Sequence, residues 1–188
     1  AATYSLIRPF CKLMIYMFGC KINIKGQFPK DQSFVIMANH ASFLDVFAIP
    51  ASLQGKFSGI ADKKNFKIPI YSIFLKKLKV ISIDRSNHSQ AIKGVNQAEK
   101  ILKLGYHVVI LPEGTRTRTG DFGKLKKGGF HLAKNTGVTI IPVGLSGAFK
   151  AKRKPDWKIK PGILTLTFGK PIVSSDYENH TLDTLKNQ

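Results

Sequence analysis

The chain has 188 residues, 43% of them hydrophobic, and a formal charge of +19 at pH 7. That length and apolar content describe a single folded domain with a proper core and exclude a disordered tail. The charge calls for an anionic partner, whether nucleic acid, an anionic membrane or phosphate-bearing substrates. The two cysteines, Cys11 and Cys20, lie in an apolar segment and argue against a disulfide framework.

Residues 4–20 are mostly apolar, and the polar exceptions Ser5, Arg8 and Lys12 fall at helical spacing on one face. The uncharged run 13–20 is far short of the ~18 residues a spanning helix needs, and it lacks a signal-peptide layout. Two readings stay open. The helix lies in a membrane interface with Arg8 and Lys12 reaching to the headgroups, or it packs on the domain's own core. The first divides the chain into an N-terminal membrane-associating segment over 1–25 and a main domain over 26–188.

After a turn over 26–31, strands are expected over 33–38, 56–61, 79–83, 106–111, 138–145 and 163–168. Helices are expected over 43–53, 66–75, 90–104 and 128–135. The alternation predicts an α/β fold, a mostly parallel or mixed sheet covered by helices on both faces. An N-terminal amphipathic helix at the membrane interface precedes it.

Polar clusters end three of the strand-like runs. The first run leads into Asn39-His40-Ala41-Ser42-Phe43-Leu44-Asp45, which puts a histidine where a strand end meets a helix start. Ligands bind at that edge in open α/β sheets. Asp45 can accept from one imidazole nitrogen and leave the other free to take a proton from a hydroxyl. The rival reading is a helix cap and a surface charge. The run before Asp84-Arg85 and the run before Pro112-Glu113-Gly114-Thr115-Arg116 end in the same manner. Parallel strands would gather all three ends at one edge, setting a general base beside two guanidinium groups. Arginine forks suit phosphate because they donate two parallel hydrogen bonds. Lys63 and Lys64 follow the strand over 56–61 and belong to the same edge. His88, His107, His131 and His180 lack metal-ligand spacing and read as structural or surface residues.

His-x4-Asp, Ile-Asp-Arg, Pro-Glu-Gly-Thr-Arg and Ile141-Pro142-Val143 occur in that order. In this the chain resembles the glycerolipid acyltransferases of the 1-acylglycerol-3-phosphate, or PlsC, type, from about residue 30 to 170. It departs from the frequent Gly-x-x-Phe-Ile-Asp-Arg form of the second motif. The resemblance implies that His40 and Asp45 are the catalytic dyad. It also implies that Glu113, Gly114, Thr115 and Arg116 contact the phosphorylated acceptor; Arg85, at the end of its own strand, would hold the phosphate together with Arg116. Lysophosphatidic acid would be that acceptor and phosphatidic acid the product. Acyl-CoA or acyl-carrier protein would be the thioester donor. A lysine near the second helix is associated with the acceptor phosphate in the family, and Lys63 is the candidate. No metal, bound cofactor or covalent acyl-enzyme is called for. The expected location is monotopic, on the cytoplasmic face of a membrane.

Two alternatives remain. The same dyad could serve glycerol 3-phosphate or another lysolipid, or the chain could be a non-catalytic module binding anionic membrane or nucleic acid. No zinc-finger spacing or RNP-like motif is present, so no specific nucleic acid is expected.

Overall fold

The computed structural model describes residues 2–29, 32–84 and 87–186. The chain begins with α1 (Ala2–Met17), β1 (Cys20–Lys25), β2 (Val35–Ala38), α2 (Asp45–Ser52) and β3 (Phe57–Asp62). A 3-10 turn (Lys63–Lys67), α3 (Pro69–Lys77), β4 (Ile81–Ile83), α4 (His88–Lys103) and β5 (His107–Ile110) follow. The last part holds α5 (Gly128–Thr136), β6 (Ile140–Ser146), α6 (Ala148–Ala151), β7 (Gly162–Phe168), α7 (Ser174–Tyr177) and α8 (Leu182–Lys186).

The strands form one seven-stranded sheet in the order β1-β7-β6-β2-β5-β3-β4. All neighbours are parallel except β6 and β7. β2 lies between β5 and β6 and is buried along its whole length, which explains its uninterrupted apolar run. Alternate residues feed opposite faces. Phe34, Ile36 and Ala38 enter a core with α1 and α2, while Val35 and Met37 enter a second core with α4 and α5. Because β2, β5, β3 and β4 run parallel, Ala38, Ile110, Asp62 and Ile83 all end at one edge. The polar clusters gather there. Gly94 in α4 permits close packing: a Cβ there would fall 2.4 Å from Ile83 Cγ2.

The N-terminal segment differs from its expected boundary. Residues 20–25 are not part of a separate membrane segment but form β1, paired in parallel with β7 through Cys20↔Gly162 to Lys25↔Thr167. Their alternation of Cys20, Ile22 and Ile24 with Lys21, Asn23 and Lys25 is that of an edge strand with one wet face. α1 packs one face on the domain's own core. Ile7, Cys11 and Ile15 pack into the core, whereas Leu6, Phe10, Leu13 and Met17 on an adjoining face are exposed.

His107 sits at the start of β5, far from the gathered strand ends. It stacks on Phe34 at 5.2 Å and meets the edge of Phe28 at 5.1 Å. Burial lowers its pKa from 6.5 to about 4, against a smaller opposing effect of a hydrogen bond to the Gln54 backbone. Below pH 6.5 the unfolded chain therefore binds a proton that the folded chain refuses, so stability falls between about pH 6.5 and 4. His107→Phe keeps the stack and removes the titration. Its melting temperature should decline less than the wild type's across that window. Identical slopes for both proteins would assign the acid sensitivity to other groups.

Candidate active site

His40 lies in the crossing from β2 to α2. Its Nδ1 stands 2.8 Å from Oδ2 of Asp45, the first residue of α2. Asp45 folds back over the crossing instead of pairing along a helix face. It also accepts from the backbone N–H of Ala41 at 2.8 Å and of Ser42 at 3.0 Å. These donors, with the positive end of α2, offset the cost of a carboxylate whose side chain is wholly buried. An ionised carboxylate only accepts, so Nδ1 carries the proton and Nε2 presents a lone pair. The His40 side chain is 15% exposed and can be reached from outside. The geometry is that of an oriented general base.

The His40 backbone is clamped on both sides by the segment after β5. Its N–H donates to Glu113 Oε1 at 2.7 Å, and its carbonyl accepts from Thr117 N–H at 2.9 Å. Glu113 Oε2 accepts from Gly123 N–H at 2.8 Å. Glu113 was expected among the acceptor contacts. It is buried, borders the cationic cavity described below and engages both its oxygens with backbone donors, so it orders the loop and the histidine. Gly114 adopts φ +72°, where a Cβ would also fall 2.9 Å from Lys126 Cε; glycine meets both demands.

The site contains positioning residues that the motifs did not reveal. Asn39 exchanges two hydrogen bonds with the Leu145 backbone, 2.6 and 3.0 Å long, and ties the end of β2 to that of β6. Ser42 Oγ donates to the Lys152 carbonyl at 2.8 Å. Asn39 was detectable as an amide at a strand end, a side chain able to imitate backbone. Thr117 acts through its backbone N–H, which leaves no signature in residue type.

Beside this clamp lies a cavity of about 690 Å³ walled by Thr115, Arg116, Arg118, Lys124, Lys126 and Lys154, among others. Thr115 Oγ1 accepts from Lys154 Nζ at 3.1 Å. Thr115 and Arg116 thus line a cationic hollow suited to phosphate. Lys63 is elsewhere. It pairs with Asp84 at the end of β4, whose hydrogen bond, and then charge, raise the Lys63 pKa. The expected lysine contact is therefore not assembled with Arg116. Arg85 lies outside the described residues. Among the described residues no group of three His, Cys, Asp or Glu side chains could hold a metal ion.

Comparison with known proteins adds independent findings. A family model described as Acyltransferase matches residues 20–146. A 1-acyl-sn-glycerol-3-phosphate acyltransferase of Cocos nucifera is 30% identical over 173 residues, which cover 92% of this chain and 56% of that protein. A chloroplastic 1-acyl-sn-glycerol-3-phosphate acyltransferase of Arabidopsis thaliana is 35% identical over 144 residues, 75% of this chain and 40% of its own length. The chain thus spans about half the length of these curated relatives. The crystal structure of the 1-acyl-sn-glycerophosphate acyltransferase PlsC from Thermotoga maritima superposes with a TM-score of 0.83 at 25% identity. That match covers 98% of this chain and 74% of the other.

Proposed function

The chain belongs to the acyltransferase family, and on that premise we propose that it acylates the free hydroxyl of 1-acylglycerol 3-phosphate from an acyl thioester, forming phosphatidic acid. One observation carries this reading: an imidazole fixed by a buried carboxylate, with its second nitrogen free, beside a hollow lined by Arg116. His40 Nε2 takes the hydroxyl proton as the oxygen attacks the thioester carbonyl. The tetrahedral intermediate expels the thiolate, which recovers the proton from the imidazolium. Asp45 holds the tautomer and stabilises the imidazolium between the two transfers. Arg116 and its neighbours hold the phosphate so that the hydroxyl meets His40 without a search. The donor, acyl-CoA or acyl-carrier protein, is a substrate and no bound cofactor takes part. Neither thiol suits an acyl-enzyme: Cys11 and Cys20 are buried, and burial pushes Cys11 up to about 12.

The test is thiol release from a labelled acyl thioester with a panel of acceptors. Release should depend on added lysophosphatidate and be slower with glycerol 3-phosphate or uncharged lysolipids. Arg116→Lys keeps charge but loses the planar fork, so acceptor kcat/KM should fall on the order of tenfold or more. Acceptor-independent release would defeat the proposal. An unchanged kcat/KM in Arg116→Ala would move the phosphate site elsewhere.

The same reading places the enzyme on a membrane surface, on the face where acyl thioesters are made. No helix among the described residues is long and apolar enough to cross a membrane. Exposed Leu6, Phe10, Leu13 and Met17 of α1 continue into exposed Ile70 and Ile73 of α3 through the Phe10–Phe74 contact at 6.3 Å. Trp157, 83% exposed with Lys158 over its ring, marks a basic loop suited to an anionic headgroup layer. Salt screens charge but not apolar insertion. High salt alone should therefore release little protein from anionic vesicles, whereas Leu6→Glu with Leu13→Glu should make binding weak and salt-sensitive. Trp157 is the sole tryptophan, and its emission should shift to the blue on binding. Wild-type protein that stays in the supernatant with both anionic and neutral vesicles would rule out this location.

A further inference from the structure

We infer that the cationic pocket between the start of α1 and the start of β3 is a second phosphate-binding site, separate from the acceptor hollow and independent of the acyl-transfer reading. Its volume is about 590 Å³, and Tyr4, Arg8, Pro9, Lys12 and Lys56 are among the residues that line it. β3 runs from this pocket to Asp62 at the His40 edge. Its six residues, at about 3.3 Å each, set the two edges on the order of 20 Å apart.

Charge and burial decide what fills it. Arg8, Lys12 and Lys56 bring three cations into one lining that holds no carboxylate. Lys79 adds a fourth charge nearby. Its Nζ stands 4.9 Å, and that of Lys56 5.5 Å, from the centre of the Tyr106 ring, itself 6.0 Å from the Tyr4 ring. Lys79 does so from φ +53°, a conformation that L side chains avoid, with its carbonyl held by Ser58 Oγ at 2.6 Å. Among the described residues none of these four cations forms a salt bridge. Gathered like charges repel, and a seated anion relieves that repulsion. The Nε of Arg8 and the hydroxyl of Tyr4 are buried and have no hydrogen-bond partner among the described residues. Burial, with Tyr106 adding to it, raises the Tyr4 pKa to about 12, so the hydroxyl stays a donor. Buried donors left unpaired are rare and unfavourable. A small turn of the Arg8 side chain toward the pocket would offer Nε and one Nη side by side to two oxygens of one phosphate.

Topology points to the source. α1 starts at this pocket and ends beside the start of β1. β1 begins at the His40 edge, because it runs parallel to β7 and β7 runs opposite to β6. The exposed Leu6, Phe10, Leu13 and Met17 lie between the two ends of α1. A lipid surface laid along α1 would therefore reach both edges, with a headgroup phosphate in the pocket. Free phosphate shares the chemistry but lacks the adjoining hydrocarbon.

The test is calorimetric binding to the full chain carrying Arg116→Ala, which silences the acceptor hollow. The probes are inorganic phosphate and dihexanoyl phosphatidate below its micelle concentration, at fixed ionic strength. Binding should persist in Arg116→Ala. Adding Arg8→Gln should weaken it roughly tenfold or more, the loss of a charge-assisted pair. Lys12→Gln with Lys56→Gln should do the same, and both side chains are exposed, so the fold is spared. Tyr4→Phe should weaken binding severalfold, yet leave the melting temperature of the ligand-free protein unchanged or higher, since the hydroxyl it removes has no partner. Tighter binding of phosphatidate than of phosphate identifies a lipid headgroup as the occupant. Equal or tighter binding of phosphate identifies the free ion at the same site. No binding of either probe in Arg116→Ala, or binding that neither Arg8→Gln nor the double lysine variant weakens, overturns the inference. Acyl transfer to soluble hexanoyl lysophosphatidate should stay at the wild-type rate in Arg8→Gln. Absence of transfer in the wild type, with Arg8-dependent binding intact, would remove the enzymatic reading and keep the pocket.

Discussion

His40→Ala should lower acyl transfer on the order of 10²–10⁴-fold, the usual contribution of a positioned base, while folding and vesicle binding persist. The ring is partly exposed and its one described side-chain partner is Asp45, so removing it leaves the sheet edge intact. Asp45→Asn is a different experiment. The carboxylate accepts from the His40 ring and from two backbone N–H groups. An amide that matches one of these donors turns its own N–H₂ toward another. Losing a charge-assisted hydrogen bond in a buried place costs about 1.5–3 kcal/mol, and the imidazole loses its enforced tautomer. Asp45→Asn should therefore lose both turnover and several degrees of melting temperature, whereas His40→Ala should lose turnover with little change in melting. Turnover assays and thermal unfolding on the same preparations separate the two effects. Near-normal transfer by folded His40→Ala would end the general-base mechanism.

Glu113→Gln should cut kcat on the order of 10²-fold although the side chain touches no reacting atom. One oxygen holds the His40 N–H and the other the Gly123 N–H. Glutamine can satisfy one of them and must oppose the other with a second donor. The His40 crossing and the 115–123 loop would then relax away from each other, and displacement of a catalytic group by about 1 Å can cost on the order of 10²-fold. The unsatisfied donor should also lower stability by about 1–3 kcal/mol, a fall of several degrees for a chain of this size. An acceptor-binding glutamate behaves differently: its loss raises the acceptor KM and leaves melting unchanged. If Glu113→Gln shows that second pattern, the clamp described above is wrong.

Strong periodicity and strand-end chemistry were legible in the residues. The unbroken apolar run before His40 is a buried central strand because parallel neighbours and helices cover both its faces. The alternation of strands and helices implied the sheet. The common strand direction brought the His40, Asp84 and Glu113 clusters to one edge, as the motif order suggested. β1 follows directly on the apolar helical run, so its six alternating residues read as part of the N-terminal segment.

Tertiary structure decided which polar residues meet. Glu113 and Arg116 are three residues apart and border the same hollow, yet Glu113 is buried and commits both its oxygens to backbone N–H groups. Nothing in residue type separates an acidic group that will face a substrate from one that backbone N–H groups will surround. Lys63 reads as free in sequence and is paired with Asp84 only because β3 and β4 lie side by side. The helix α1 shows the same limit in its plainest form. Its composition dictates that apolar residues occupy two faces, but only packing against α2 settles that Ile7, Cys11 and Ile15 turn inward and leave Leu6, Phe10, Leu13 and Met17 outside. Local sequence sets period and propensity, which act over neighbouring turns. Burial and pairing depend on segments far apart in the chain, and their energies exist only once the sheet has brought those segments together.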